Sequence, residues 1–285
     1  MKIIDKDDEN YPKILKKIPS KPKQIYVMGN EKILGNDGIA IVGSRNCTPY
    51  GKCLAEKFAM ELSNQGLNIV SGLAIGIDAC AHNGCLKAGG TTVAVLGGGL
   101  KNIFPEQNEY LFYEIVNKGG AVISEYPPER EAFSDGFRKR NRIVSGLSLG
   151  VLIIEAAINS GTMITARYAL EQGKKIFCIP GRLDSNKGEG TNELIKKGAK
   201  MVTCVEDILE ELDIRNDLNK TIKKQVLVRE EYKDIYELLL ENDLSPNEIC
   251  KKIGVSISEI SSKLLLMEME GLIIKKPGNI YEILR

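Results

Sequence analysis

Positive charge is concentrated in one short segment of the chain, FRKRNR, which begins at Phe137. Four cations follow that aromatic residue: Arg138, Lys139, Arg140 and Arg142. The 285 residues carry 39 Lys and Arg against 38 Asp and Glu, a net charge of +1, so only a local cluster can attract an anion. Arginine forks onto phosphate oxygens, and an aromatic ring stacks on an unpaired base. The segment therefore indicates either nucleic-acid contact or a solvated surface.

Glycine-rich loops follow several apolar runs of the sequence. Small residues let backbone N–H groups and helix N-termini approach an anion closely, although tight turns also require glycine. The carboxyl ends of parallel strands meet at one edge of a sheet, so we expect these loops to form one anion-binding edge. The loops are Gly43-Ser44-Arg45, Ser71-Gly72 with the residues up to Asp78, Gly97-Gly98-Gly99, Ser160-Gly161-Thr162, and Pro180-Gly181 with residues 188–192.

A nucleotide cofactor is disfavoured by the first two loops. A dinucleotide site needs GxGxxG after the first strand and an acidic residue at the end of the second. This chain has GSRNCTPYG at the first place and Ser71-Gly72 at the second, and it contains no GxxxxGK[ST] for a P-loop ATPase. We therefore expect no cofactor.

A nucleotide-hydrolysing enzyme is the main alternative function. Lysine-decarboxylase-like nucleotide phosphoribohydrolases carry PGGxGTxxE on a related α/β core, and its Glu is catalytic. Aligned on Gly161-Thr162, the chain has Thr165 in place of that Glu, and Asn159-Ser160 replace the glycine pair. The phosphate loop is retained while the acid needed for glycosidic cleavage is missing, which favours a binding protein.

The single histidine, His82, limits the remaining catalytic and metal-binding interpretations. Any triad or dyad that uses histidine must use this residue, and neither Ser71 nor Ser124, the serines that end strands, lies in GxSxG. His82 stands between Cys80 and Cys85, but their spacing matches no common zinc pattern. We expect a structural histidine and buried thiols.

Seven short apolar runs alternate with helix-length segments between residues 36 and 212. Val- and Ile-rich runs of this kind are typical of strands buried on both faces of a parallel sheet. The alternation predicts an α/β fold, a doubly wound and mostly parallel sheet of the extended Rossmann-like type. The predicted strands are GIAIVG, LNIVSG, TTVAVLGG, AVISEY, GVLIIEA, KKIFCIPG and AKMVT.

The C-terminal residues follow a different pattern, which predicts a small winged-helix domain over residues 229–285. Ser245-Pro246-Asn247-Glu248 has the residues of a capping box, Ser256 begins a further helix, and residues 277–279 form a hairpin turn. Eight Lys and Arg stand against eleven Asp and Glu from Arg229 onward, and a helix that enters a DNA groove is expected to be basic. A role in protein contact or packing is therefore favoured. Residues 213–228 are predicted to be a linker, and residues 1–35 a short helical lead-in in which QIYVMGN adds an edge strand.

Composition indicates a cytoplasmic protein. Hydrophobic residues make up 43% of the chain, and no apolar run approaches the ~18 residues of a membrane span. The N-terminal MKIIDKDDENYPK lacks the apolar segment of a secretion signal, and the seven cysteines are scattered without a CxxC pair.

Taken together, the motifs resemble the DNA-processing protein A family, DprA or Smf. The resemblance spans residues 39–212, and the predicted winged helix matches a module that many members carry. The ordered set of motifs is specific, although each alone is weak. The motifs are IVGSR, SGLAIGIDACAH, VAVLGGGLKNIFPEQN, ISEYPP, FRKRNRIVSGLS, VLIIEAAINSGTMITARYALEQGKKIFCIPG and GEGTNELIKKGA.

The resemblance implies a cytosolic homodimer, without catalytic turnover, that binds single-stranded DNA of any sequence and loads the RecA recombinase in recombination and natural transformation. It places Arg45, Arg140 and Arg142 in the DNA groove with Lys139 as a neighbour. Phe137 is predicted either to stack on a base or to pack in the core, and Asn141 either to contact a sugar or to hold a helix start. The remaining predicted contacts are those of the phosphate loops: Gly43, Ser44, Ser71, Gly72, Ser160, Gly161 and Thr165.

The chain departs from the family pattern at three places, one of which is Glu106-Gln107, near where some members have a further DNA-contacting Lys. Ile75 stands where SGLARGID has Arg, and Phe104 replaces the usual Tyr before Pro105. The loss of a cation at position 75 is expected to weaken one phosphate contact. A purely protein-binding scaffold remains a third hypothesis, in which FRKRNR is a solvated face.

Overall fold

The computed structural model describes residues 1–214, 232–269, 272–276 and 278–283. The chain divides into two compact units, Met1–Arg215 and Asn216–Arg285. Residues 215–231 lie outside the described part, and most of the predicted linker falls there.

A twisted sheet forms the centre of the first unit. Within the described residues, its nine strands follow the order β1-β2-β6-β5-β4-β3-β7-β8-β9. Along the stretch β6-β5-β4-β3-β7-β8-β9 of this order, every pair of neighbouring strands is parallel. The pairs β1–β2 and β2–β6 are antiparallel. The predicted mostly parallel, extended Rossmann-like sheet is confirmed. The strands are β1 Lys2–Asp5, β2 Gln24–Gly29, β3 Gly38–Val42, β4 Asn68–Ser71, β5 Thr92–Val95, β6 Ala121–Ser124, β7 Gly150–Ile153, β8 Lys175–Cys178 and β9 Lys200–Met201.

Helices cover both faces of this sheet, and strand β3 shows why its sequence is apolar throughout. Ile39 and Ile41 pack into one hydrophobic cluster, whereas Ala40 and Val42 pack into another on the opposite face. Successive side chains of a strand point to opposite faces, so both sets must be apolar when both faces are covered. The helices are α1 Lys13–Lys16, α2 Pro49–Asn64, α3 Ile77–Lys87, α4 Glu109–Asn117, α5 Ser134–Gly146, α6 Gly161–Glu171, α7 Asn186–Lys196 and α8 Glu206–Glu211.

The strand order reverses between β3 and β7. Strands β4, β5 and β6 follow on one side of β3, while β8 and β9 follow on the far side of β7. The loops after β3 and β7 therefore diverge and leave a crevice at the carboxyl edge of the sheet. Open α/β sheets bind ligands in such a crevice.

The N-terminal residues differ from the helical lead-in predicted for them. QIYVMGN does form a strand, β2, but β1 lies outside it and forms the edge of the sheet. Ile4 on β1 and Ile25 on β2 are buried in the same cluster as the interior of the sheet. The pattern KIID is too short to be distinguished from a loop by periodicity, which is why the sequence did not predict β1.

The second unit has the predicted winged-helix elements. They are α9 Lys233–Glu241, α10 Pro246–Ile253, α11 Ile257–Met269, and a hairpin of β10 Ile273–Lys276 and β11 Ile280–Ile283. Ser245 and Glu248 form the predicted capping box at the start of α10. Gly278 and Asn279 both have positive φ, 89° and 60°, as a tight hairpin turn requires. Over the described residues, no helix is both long enough and apolar enough to cross a membrane.

Candidate nucleic-acid interface

A cavity of about 780 Å³ lies at the crevice between β3 and β7. The loop after β3, the loop after β4, helix α5 and the start of α6 line it. Its charged lining residues are Arg45, Arg138, Arg140 and Asp78. Positive charge therefore predominates in this cavity although the chain as a whole is nearly neutral, and a cleft with one predominant sign of charge concentrates counter-ions.

Helix α5 contributes one face to the cavity. Ser134, Phe137, Arg138, Asn141 and Val144 all line it, and their spacing of three and four residues puts them on the same side of the helix. Arg138 was not among the predicted contact residues. Arg138 is exposed at the cavity instead, and its spacing of three residues from the predicted contact Asn141 is the signal that would have identified it.

Arg45 and Phe137 meet at the centre of the lining. The guanidinium carbon of Arg45 lies 5.4 Å from the centre of the Phe137 ring, within cation–π range. Arg45 is exposed and Phe137 is half-buried, so the ring is neither fully in the core nor fully free. A Cβ on Gly97 would lie 2.6 Å from the ring, so Gly97 is needed to seat the ring against the sheet.

Arg140 is a buried cation that joins the ends of two strands. Only 4% of it is exposed, and its guanidinium donates to the carbonyl oxygens of Gly72 and Val95. Its Nε donates to Asn141 Oδ1 at 3.2 Å. Burial lowers the pKa of Arg140 to about 10. The side chain therefore holds the loops after β4 and β5 in place from beneath the cavity.

Asp78 holds the loop after β4 from the opposite side. Its Oδ2 accepts hydrogen bonds from the backbone N–H groups of Gly72, at 3.1 Å, and Ala74, at 3.4 Å. Burial raises the pKa of this carboxyl, and the Arg140 charge opposes the rise. A Cβ on Gly72 would lie 2.5 Å from Arg140 Nη2 and 2.6 Å from Asp78 Oδ2, so only glycine fits between them. The sequence interpretation missed Asp78, although an acid in the first turn after a glycine loop is a recognisable capping signal.

The start of helix α6 faces the cavity with open hydrogen-bonding capacity. Ser160 occupies the N-cap position, but its hydroxyl makes no capping bond, and its buried Oγ has no hydrogen-bond partner among the described residues. A Cβ on Gly161 would have no neighbouring atom within 4 Å, so the first turn of α6 is open on this side. Thr165 lies one turn further and is buried. A helix N-terminus with an unused hydroxyl is suited to a phosphate group.

The N-terminus of α2, by contrast, already holds an anion of the chain itself. The carboxylate of Glu155, which is 8% exposed, accepts hydrogen bonds from the Thr48 N–H at 2.9 Å and from the Thr48 hydroxyl. A Cβ on Gly51 would lie 2.6 Å from the Glu155 carboxyl carbon. In a dinucleotide-binding fold the pyrophosphate occupies this helix start, so Glu155 supplies the physical reason why GSRNCTPYG cannot serve that purpose. A charged residue inside the apolar run LIIEA was the signal for it.

Three predicted contact residues lie away from the cavity. Arg142 is on another face of α5 and forms a two-fold ion pair with Glu125, with nitrogen–oxygen distances of 2.8 and 2.6 Å. Lys139 lies 2.7 Å from Asp135, one turn earlier on the exposed side of the helix. The hydroxyl of Ser71 is buried and donates to the Ile41 carbonyl at 2.6 Å, which links β4 to β3. The structure thus brings together Gly43, Ser44, Arg45, Gly72, Phe137, Arg140, Asn141, Ser160, Gly161 and Thr165 of the predicted set.

Two of the five glycine loops serve packing rather than the cavity. Backbone atoms of residues 127, 128 and 132 occupy the places where Gly98 and Gly99 would carry side chains. Gly181 and Gly188 pack against each other in the same manner. The expectation that all five loops gather around one anion site is therefore wrong, because close backbone approach accounts for two of them.

The single histidine is part of the core. His82 is fully buried, and its Nδ1 lies 2.7 Å from the Thr92 hydroxyl oxygen, which itself donates to the Ile69 carbonyl. Nδ1 therefore carries the proton and donates to Thr92. Burial lowers the pKa of His82 to about 3, so the ring is neutral at ordinary pH. The predicted structural role of this residue agrees with this geometry.

The fold and the cavity define an extended Rossmann-like protein with an arginine-lined cavity at its switch point, followed by a winged helix. The model of the family DNA recombination-mediator protein A matches residues 2–213, and that of the DprA winged helix domain matches residues 228–279. The chain belongs to the DprA/Smf family of DNA recombination mediators, as its motifs predicted.

Individual relatives agree with this assignment. Protein Smf of Escherichia coli is 36% identical over 290 residues, which cover 99% of this chain and 78% of that protein. The X-ray structure of DprA from Streptococcus pneumoniae is similar with a TM-score of 0.70 and 39% identity over 74% of each chain. A DprA structure from Helicobacter pylori, described as showing a unique single-stranded DNA binding mode, has a TM-score of 0.66 and 35% identity and covers 72% of this chain and 94% of that one.

Proposed function

We propose that this protein binds single-stranded DNA of any sequence in the cavity between β3 and β7. The observation that carries the proposal is the convergence of three arginines and the free start of α6 on one cavity. A single strand presents a row of phosphates and unstacked bases, and proteins bind it with a positive groove and aromatic platforms. The H. pylori relative, whose structure is described by its single-stranded DNA binding mode, supports the same ligand for this chain.

The exposed arginines are the phosphate-binding groups in this proposal. Arg45 and Arg138 are exposed at the cavity, whereas Arg140 has its guanidinium engaged by backbone carbonyls. Ser160 and the first amides of α6 supply neutral donors. None of these groups reads a base edge, so affinity is expected to be independent of sequence.

The test is a binding titration with oligo-dT at several salt concentrations. Replacing Arg45 with Ala removes one cation from the cavity, so affinity falls and the slope of log K against log salt becomes shallower by about 0.7. The matched control is Lys139→Ala, because Lys139 is exposed on the same helix as Arg138 but pairs with Asp135 away from the cavity. Equal affinities of the Arg45→Ala variant and the unaltered protein would overturn the proposal.

We further propose that the bound strand is handed to the RecA recombinase by a homodimer of this chain in the cytoplasm, as part of recombination and natural transformation. Membership of a family of recombination mediators supports this role. RecA filament formation on single strands coated with a single-strand-binding protein is expected to accelerate when this protein is added. No acceleration with protein that binds oligo-dT would exclude the mediator role and leave DNA binding intact.

A binding role without turnover is preferred to nucleotide hydrolysis. Thr165 occupies the position of the catalytic Glu of the hydrolases, and the Asp78 carboxylate in the cavity is held by backbone amides. Incubation with a panel of nucleoside monophosphates is expected to release no free base. Release of base that disappears in an Asp78→Asn variant would establish the enzyme instead.

For the winged helix we propose protein contact rather than DNA contact. The exposed side chains of α11 include Ile257, Leu265 and Leu266, which suit an apolar partner better than a phosphate backbone. Its Lys263 lies 2.8 Å from Glu259 on the same helix. A Lys263→Ala variant is expected to keep its affinity for single and double strands, and a marked loss would place DNA on this helix.

A further inference from the structure

Lysine is concentrated in the segment that connects β1 to β2. Residues 12–23, PKILKKIPSKPK, carry five lysines and no acidic residue. Two of these lysines have hydrogen-bond acceptors, and both acceptors are backbone carbonyls: Lys16 Nζ donates to the Asp8 carbonyl at 3.1 Å, and Lys21 Nζ donates to the Lys16 carbonyl at 3.0 Å. Among the residues that the structure describes, no carboxylate forms an ion pair with any of the five.

A further lysine, Lys174, joins this group from the turn between α6 and β8. The end of helix α5 lies between the two segments. A Cβ on Gly146 would lie 3.0 Å from Ile18 Cδ1, and the Gln172 amide donates to a carbonyl of α5 at 2.9 Å. Burial lowers the pKa of Lys174, and the nearby charge of Lys17 lowers it further. Lys16, Lys17, Lys21 and Lys174 therefore form one group, the lysine patch.

The lysine patch lies at the edge of the sheet opposite to the cavity. Helices α5 and α6 both begin at the cavity between β3 and β7, and the residues that follow their last turns reach the patch. The 13 residues of α5 span about 20 Å at 1.5 Å per residue. The patch is thus separate from the cavity, and a ligand at one leaves the other accessible.

The lysine patch differs from an ordinary solvated run of charges. Lys174 is half-buried beside another cation, an arrangement that costs free energy until an anion arrives. The C-termini of α5 and α6 offset part of this cost, but each carries only about half a negative charge. Asp8 contributes its backbone carbonyl to Lys16, while its carboxylate accepts two hydrogen bonds from Asn10. The patch therefore retains positive charge that the described residues do not neutralise.

We propose that the lysine patch binds the phosphate backbone of double-stranded DNA. Lysine ammonium groups attract phosphates as point charges and read no base edge. A single strand needs aromatic platforms for its unstacked bases, but residues 12–23 contain no aromatic residue and the neighbouring Tyr11 is buried. A duplex keeps its bases stacked and presents phosphates alone, which suits such a surface. This site goes beyond strand binding in the cavity and does not depend on it.

The test is a titration of a short labelled duplex with the whole protein at several salt concentrations. A variant with Lys17→Gln, Lys21→Gln and Lys174→Gln removes three cations and keeps most of each aliphatic stem. Its affinity for the duplex should fall, and the slope of log K against log salt should become shallower by up to about 2.7, or about 0.9 for each lost phosphate contact. Its affinity for oligo-dT should stay unchanged.

Two further variants separate lost contacts from altered folding or from a general loss of charge. Lys17 and Lys21 are exposed, so the variant with only these two replaced should fold normally and still reduce the slope by up to about 1.8. The matched control replaces three lysines that pair with glutamates elsewhere on this unit and should keep its duplex affinity. These lysines are Lys57, Lys87 and Lys118.

Excess oligo-dT should leave the duplex bound, because the two ligands occupy opposite edges of the sheet. Displacement of the duplex by oligo-dT, or equal salt slopes in the triple variant and its control, would overturn the patch as a duplex site. If the unaltered protein binds oligo-dT but no duplex, this proposal fails while the proposed function stands. If it binds the duplex through the patch but does not bind oligo-dT, the proposed function fails instead. Binding of poly-glutamate that the triple variant loses, without any binding of duplex, would assign the patch to an acidic protein segment.

Discussion

The role of Arg140 can be tested by replacing it with Ala. Its guanidinium donates to the carbonyl oxygens of Gly72 and Val95, and together with the Asp78 carboxylate it fills the place where Gly72 would carry a Cβ. The variant leaves two buried carbonyls without this donor and a buried carboxylate without its neighbouring cation. We therefore expect Arg140 to act chiefly on the stability of the cavity and only secondarily on the ligand.

The magnitude follows from the burial of these groups. The variant removes the donor from two buried carbonyls and the nearby opposite charge from a buried carboxylate, which together cost about 3–5 kcal/mol in the free energy of unfolding. For a unit of this size, each kcal/mol lowers the thermal midpoint by about 2–4 °C, so the midpoint should fall by roughly 6–20 °C. Arg45→Ala is the comparison variant, because Arg45 is exposed and its loss should change the free energy of unfolding by less than about 1 kcal/mol.

Circular dichroism recorded during heating gives the thermal midpoint of each variant. An oligo-dT titration, at a temperature well below the midpoint of the less stable variant, gives their affinities. Arg140→Ala should unfold early, whereas Arg45→Ala should bind weakly with a nearly unchanged midpoint. The reasoning is refuted if Arg140→Ala keeps its midpoint within about 2 °C of the unaltered protein and loses affinity as Arg45→Ala does. Arg140 would then contact phosphate directly, as the sequence predicted.

Three further predictions concern other parts of the first unit. Because the pKa of His82 falls from 6.5 to about 3 on folding, its contribution to stability is complete above pH 6.5 and is lost at about 1.4 kcal/mol per unit as pH falls toward 3. In urea titrations, lowering the pH from 6.5 to 5 should reduce the unfolding free energy of the unaltered protein by about 2 kcal/mol more than that of the His82→Gln variant. Equal reductions in the two proteins would contradict this prediction. Gly76→Ala should weaken oligo-dT binding in titrations, because its Cβ would lie 2.6 Å from the Arg45 carbonyl oxygen. The control is Gly89→Ala, which has positive φ but no neighbour within 4 Å and should cost only about 1–2 kcal/mol of stability without a change in binding. Equal binding by the two variants would refute the steric argument. Glu155→Gln should lower stability by up to about 2 kcal/mol in urea titrations through its loss of charge at the start of α2, and an unchanged midpoint would show that the charge is not needed there.

Most of the fold was predictable because its signals are local and repeated. Strands β3 to β8 appeared as Val- and Ile-rich runs, and Ser245 with Glu248 marked the start of α10. Strand β1 was not predictable, since four residues with one buried side chain carry no periodicity. It forms only because β2 offers an antiparallel partner from a distant part of the sequence.

The candidate site was predictable in outline but not in the role of each residue. The family resemblance identified Arg45, Arg140 and Arg142 equally, yet only tertiary packing gives Arg142 a partner in Glu125 and engages Arg140 with backbone carbonyls. Helical periodicity counted from Asn141 is sufficient to separate Arg138 from Lys139, because Arg138 lies three residues before Asn141 and Lys139 only two. The role of each glycine was ambiguous from the sequence in the same way as that of each arginine. Close packing of two backbone segments and contact of the backbone with an anion both require glycine.

Hydrogen exchange of the whole chain with and without oligo-dT tests the proposed interface most directly. Bound phosphates should slow exchange at the first amides of α6, beginning at Gly161, and in the loop that carries Arg45. The loop of Gly181 and Gly188, which packs on itself, should exchange at the same rate in both states. Protection at the start of α6 and around Arg45 would confirm strand binding in the cavity between β3 and β7. Protection confined to α7 or to α11 would contradict it.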